Sequence, residues 1–197
     1  MTRTARGEQR RRAILEAALR LVARDGPHAA THRAVAAEAG VPLAATTYYF
    51  ASREDLIAQA LRLSVDQELA EIGDWLAGRP EPATAEAAAD LLAELFEATL
   101  AGDPLTLLAR NELYQAAARA PEIRAEARRW TDAYLGLLAP MLERLGAARP
   151  REDAELVVSA LGGLLDLRLA EDRCSPAELR ARLRRLLTAL SAPEAQA

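Results

Sequence analysis

The stretch Thr31-His-Arg-Ala-Val-Ala-Ala-Glu-Ala-Gly40-Val-Pro-Leu-Ala-Ala-Thr-Thr-Tyr-Tyr-Phe50-Ala-Ser-Arg53 decides the fold. It reads as two short helices joined by a tight turn. Thr31 is placed to cap the first helix, ahead of the apolar pair Val35 and Ala36. Gly40 ends it, because glycine accepts the left-handed backbone of a sharp exit. Val41 plugs the turn, and Pro42 suits a helix start, where no amide donor is needed. Thr46 and Phe50 are four apart and share a face, which is expected to look inward. Leu43 with Thr47, and Ala44 with Tyr48, can then look outward. This is the grammar of a helix-turn-helix whose second helix enters the major groove of DNA.

The segment Gly40-Val-Pro-x4-Thr-Tyr-Tyr-Phe-Ala-Ser-Arg-Glu-Asp-Leu56 resembles the signature of the TetR/AcrR family of bacterial repressors. The resemblance covers roughly residues 9–60 and departs from the family habit at Ala44, Thr46 and Tyr49. It implies that Arg33 reaches the groove, that the second helix reads bases, and that Tyr48 and Arg53 grip phosphates. Leu43, Ala44 and Ala45 offer bases no side-chain hydrogen bonds, only apolar contact with thymine methyl groups. Arg33, capable of a bidentate bond to guanine, is therefore the best base reader. The expected DNA-contacting set is completed by Thr31, His32, Pro42 and Thr47, with Thr46 as its weakest member.

The bounds of the chain agree. Of 197 residues, 51% are hydrophobic, mostly Ala and Leu, which supplies helices and starves strands. All 25 basic residues are Arg. Residues 1–60 carry nine Arg against six acidic residues, a charge of +3, while the remainder carries −7. A basic head on an acidic chain suits a polyanion bound at one end. Arg10, Arg11 and Arg12 open the first helix, and one of them is expected to touch phosphate. The single cysteine excludes an internal disulfide. No apolar run approaches the ~18 residues of a membrane span, and no signal-peptide core opens the chain, so a soluble cytoplasmic protein is expected. Glycine-rich phosphate loops, Glu-x-x-His pairs and Ser/His/Asp sets are absent from the sequence. No enzyme, metal or cofactor is expected.

The expected fold is all-α, with about nine helices. Residues 1–53 form a three-helix DNA-binding domain, and residues 54–197 a helical effector-binding and dimerisation domain. Ser52 with Asp55 caps a fourth helix, Arg53 to about Leu76, which joins the two as a lever. Asp103-Pro104 and Ser175-Pro-Ala-Glu178 mark later helix starts. Pro140 is expected to kink or end the helix that Pro121 opens, with Leu137, Leu138 and Met141 facing inward. The tail after Ser191 is expected to fray.

Two further sets are read from the body. Phe96, Leu107, Arg110, Asn111, Tyr114, Trp130 and Tyr134 gather large side chains with a few polar groups, as small-molecule pockets do. Arg110 could pair there with an acidic ligand or with a carboxylate of the chain itself. Leu156, Ala160, Leu161, Gly163 and Leu164 on one helix, and Leu183, Leu187 and Leu190 on another, form broad apolar faces. A two-fold four-helix interface is expected to join them, the mid-helix pair Gly162-Gly163 permitting close approach. The functional expectation is a repressor that binds a palindromic operator as a homodimer and is released by a small-molecule effector. An activator of the same fold, or an all-helical sensor or carrier whose head binds a protein, are the alternatives.

Overall fold

The computed structural model describes residues 3–191, and among these the regular elements are all helical. They are α1 (Arg3–Asp25), a 3-10 turn (Pro27–Ala29), α2 (His32–Glu38), α3 (Leu43–Tyr49), α4 (Arg53–Leu76), α5 (Ala85–Ala101), α6 (Pro104–Ala116), α7 (Pro121–Arg144), α8 (Pro150–Glu171) and α9 (Pro176–Leu190). The predicted tail after Ser191 lies outside the described residues.

Local chemistry starts these helices where the sequence says. Asp103 accepts from the amides of Leu105 at 3.1 Å and Thr106 at 3.2 Å, covering orphan donors of α6. Ser52 Oγ accepts from the Asp55 amide at 3.0 Å, but the Asp55 carboxylate reaches back to the amide of Ala51, one residue further than a full capping box. At α9 the box is complete: Ser175 and Glu178 satisfy each other's amides. Pro140 lies inside α7 without ending it.

The chain forms two compact units. The first holds residues up to Glu71 together with Leu100–Trp130. Its core includes Ile14, Val22, Val35, Phe50, Leu61 and Leu113, all at most 1% exposed. Ala109, Leu113 and Ala117 repeat every four residues along α6 and join the same cluster as Ala17, Ala18 and Leu21 of α1. Small residues let these helices approach closely, and among the described residues α1 with α6 is the most extensive helix pairing. Leu69 of α4 packs on this first core.

The second unit holds Ile72–Thr99 and the residues from Thr131 onward. Its core joins Ala88 and Leu92 of α5, Leu138 and Leu142 of α7, Val157 of α8 and Leu179 of α9. Leu137, expected inward, is 44% exposed. The buried positions of α7 here are Leu135, Leu138, Met141 and Leu142, a helical stripe that leaves position 137 to one side.

The cap of α9 makes a pH prediction. The Ser175 amide donates to the Glu178 carboxylate at 2.8 Å and the Ser175 hydroxyl at 2.9 Å. These bonds hold Glu178 below its ordinary value of 4.5. A depressed carboxylate adds stability above its unfolded pKa and loses it as pH falls through the folded one. The thermal midpoint of Glu178→Gln should therefore lie below wild type at about pH 7, the gap closing as pH falls through the lowered folded-state pKa of Glu178. A gap independent of pH would contradict this account of the cap.

Candidate nucleic-acid interface

The first unit presents α2 and α3 through a fully bonded turn. Thr31 Oγ1 accepts from the Ala34 amide at 3.2 Å, as its sequence position suggested. Gly40 sits at φ +65, where other residues are strained. The Val41 amide then donates to the Ala36 carbonyl at 3.0 Å, and the Gly40 amide to Ala37 at 3.2 Å. Those two bonds are the Schellman closure of a helix end. Pro42 stands at the N-cap of α3, and its carbonyl accepts from Ala45 at 2.8 Å.

One side of α3 anchors it. Phe50 is 1% exposed, and Thr46 is fully buried, its hydroxyl donating to the Leu43 carbonyl at 2.8 Å. Thr46 thus stands on the inward face read from the sequence, and its place in the DNA-contacting set finds no geometric support. The other side is open: Leu43, Ala44, Thr47 and Tyr48 are exposed, Tyr48 by 81%. Ala45 and Tyr49 are half-buried, and the Tyr49 ring meets Tyr48 edge-on at 5.0 Å. On α2, Thr31 and Arg33 are exposed and His32 is half-buried.

The arginines of this unit divide by their partners. Arg11 bonds to Glu8 and Gln59, Arg12 to Glu16, Arg20 to Glu38, and Arg24 to Asp25 and Glu38. Arg53, expected on phosphate, donates to the Pro27 carbonyl and pairs with Glu54 at 3.4 Å. It ties the first turn of α4 to the link between α1 and α2. Arg10 and Arg33 are exposed and make no ion pair or hydrogen bond among the described residues. Arg6 shares that condition, and only its position beside the Arg10–Arg12 run could have flagged it.

The expected ligand set falls into both units. Leu107, Arg110, Asn111, Tyr114 and Trp130 belong to the first, Phe96 and Tyr134 to the second. Leu107 and Arg110 are buried, and Tyr114 meets Trp130 edge-on at 5.3 Å. Arg110 pairs with Glu68 at 3.1 Å, a partner no sequence rule named. The signal was present: Glu68 interrupts the stripe Leu61, Val65, Ile72 on α4. An open polar cleft does exist in the second unit, around Arg168, Arg173, Arg182 and Ser175, but none of the expected residues lines it.

The expected interface set divides as well. Leu183 and Leu187 are at most 1% exposed and Leu164 is buried, so these three serve the core of their own protomer. The stripe of α9 joins one buried cluster with residues of α5, α7 and α8, which a single sequence could not reveal. Leu156 is 54% exposed and Gly163 is exposed, while Ala160, Leu161 and Leu190 are half-buried. A Cβ added at Gly162 or Gly163 would meet nothing within 4 Å, so no close helix approach within the chain accounts for them.

Comparison with known proteins follows the same lines. Residues 14–60 match the family pattern "Bacterial regulatory proteins, tetR family", and residues 83–191 match "Tetracyclin repressor-like, C-terminal domain". The crystal structure of the multidrug binding protein EbrR complexed with ethidium is similar at 34% identity and a TM-score of 0.74, over 90% of this chain and 98% of that one. A TetR family member from Streptomyces coelicolor A3 (SCO1917) is 32% identical at a TM-score of 0.73, over 90% and 97%. The HTH-type nicotine-responsive transcriptional repressor HdnoR of Paenarthrobacter nicotinovorans is 31% identical over 104 residues, 53% of this chain. The chain spans about half, 52%, of that curated relative.

The division of the arginines is testable without DNA. Arg53→Ala should cost about 1–2 kcal/mol in denaturant unfolding, through the lost bond to Pro27. Arg10→Ala should stay within about 0.5 kcal/mol. Equal effects would mean that Arg53 is as free as Arg10.

Proposed function

The chain belongs to the TetR family of bacterial regulatory proteins, and from that premise we propose that it is a DNA-binding transcriptional repressor, working in the cytoplasm as a homodimer on a palindromic operator. A small-molecule effector releases it. The observation that carries this reading is the pairing of an exposed α3 face with the uncommitted cations Arg10 and Arg33. Arg12, Arg20 and Arg24 of the same head are instead paired with carboxylates. Arg10 and Arg33 stay available for a polyanion.

In this reading α3 lies in the major groove. Leu43 and Ala44 touch base methyl groups, Arg33 reads guanine, and Thr47, Tyr48 and Arg10 fix register on phosphate. Arg53 acts by holding the head's shape. Residues 1–53 serve as the reading head, and residues 54–197 bind effector and partner. A second copy covers Leu156 and the glycine pair of α8, an open face where two backbones can approach closely. The relatives complexed with ethidium and proflavin, and the nicotine-responsive repressor, support a small organic effector. Its preference for one conformation, carried along α4, sets how far DNA affinity falls.

Two measurements test this. Binding to a genomic operator fragment, followed by anisotropy, should weaken about a thousandfold or more between about 50 and 200 mM salt. Arg33→Ala should cost about 1–3 kcal/mol and relax sequence preference, while Arg10→Ala should weaken all sequences alike and reduce the salt slope by about 1. Indifference to both changes and to salt would remove the DNA-binding assignment. Separately, Leu156→Glu should convert a dimer to a monomer in sedimentation. A wild-type monomer, or a variant that stays dimeric, would remove the interface assignment.

A further inference from the structure

Among the described residues the buried polar side chains are Thr46, Ser64, Glu68 and Arg110. Thr46 is accounted for by its bond within α3. The other three concentrate at one place in the first unit. Glu68 and Arg110 are 4% and 5% exposed and join α4 to α6 through a 3.1 Å ion pair. Ser64 stands one turn before Glu68 on the same face of α4 and is fully buried. Its hydroxyl has no hydrogen-bond partner among the described residues, and neither has Nε of Arg110. Two buried donors without acceptors, beside a charged pair, are uncommon in a finished core.

We propose that Ser64, Glu68 and Arg110 form the polar end of the effector site, and that it takes an organic ligand through a hydrogen-bond-accepting oxygen, a carbonyl or a carboxylate. The proposal rests on the effector-responsive reading above. The donors decide the class. A guanidinium offers five N–H groups and no acceptor, and it does not deprotonate, so an oxygen of the ligand is what Arg110 and Ser64 together can use. The charges agree. Glu68 already balances Arg110, so a carbonyl oxygen leaves the site neutral. A carboxylate competes with Glu68 for the guanidinium. An organic cation with no such oxygen leaves both donors unanswered and adds positive charge beside Arg110.

The apolar end lies one turn further along α6. Tyr114, four residues after Arg110, is 41% exposed and rests edge-on against Trp130 at 5.3 Å. Arg129, next to Trp130, donates to Asp66 at 2.8 Å and to the Arg62 carbonyl, so the start of α7 is fastened to the same stretch of α4. A ligand body that displaces the Tyr114 ring would lie against Trp130 with its oxygen directed at Arg110. By taking the guanidinium it would loosen the link between α6 and α4.

Trp130 supplies the readout, because Trp75 is the other of the two tryptophans. In full-length Trp75→Phe protein, fluorescence would be titrated with benzoate, acetophenone and benzyltrimethylammonium, three probes with one ring and different heads. Saturable quenching by benzoate or acetophenone, weakened about tenfold by Ser64→Ala, is the expected result. Benzoate alone would identify a carboxylate, acetophenone alone a carbonyl. The pair Glu68→Leu with Arg110→Met, which keeps the volume and removes the polar end, should abolish the response. Should the double change prevent folding, Ser64→Ala decides. The proposal falls if benzyltrimethylammonium alone responds, if no probe responds, or if Ser64→Ala leaves quenching unchanged. DNA affinity of the same sample, measured without probe, reports on the repressor reading independently.

Discussion

The turn that closes α2 is the constraint on which the rest depends. Only a left-handed residue at position 40 lets the Val41 amide fold back to the Ala36 carbonyl. That bond fixes where Pro42 begins α3, and so which residues face inward. Phe50 and Thr46 then fill the unit's core, and Leu43, Ala44, Thr47 and Tyr48 are left in solvent. An apolar, aromatic and hydroxyl face on a short helix is a poor design for a free surface. It is a good one for a groove whose floor carries methyl groups and whose walls carry phosphates.

Electrostatics sharpens the same picture. Most arginines of the first unit answer a carboxylate or carbonyl nearby, and exposed pairs of this kind add little stability. Arg6, Arg10 and Arg33, unpaired on the head, lie on α1 and α2. Arg53 shows how one residue type can serve a different end. Bound to the Pro27 carbonyl, it holds the entry to α2 against the start of α4.

Much of this was legible in the sequence, and the reason is physical. Caps and turns are local: Thr31, Gly40, Asp103 and Ser175 act on amides within three residues, so spacing alone identifies them. The inward face of α3 followed from a four-residue period. What escaped was long-range. Leu183 and Leu187 looked like an interface because a stripe does not say which helix covers it. Leu137 looked buried because its neighbours are. Glu68 and Arg110 lie 42 positions apart, and their pairing exists only once α6 packs beside α4. Of the two outcomes expected at Pro140, a kink or an end, α7 does not end there.

The direct test of the central claim is a hydroxyl-radical footprint of the ligand-free protein on its operator. Two identical heads, each placing α3 in a major groove, predict two protected half-sites related by a dyad, their centres about 10 base pairs or a multiple apart. One undivided patch without a dyad, or no protection in dilute buffer, would contradict the account.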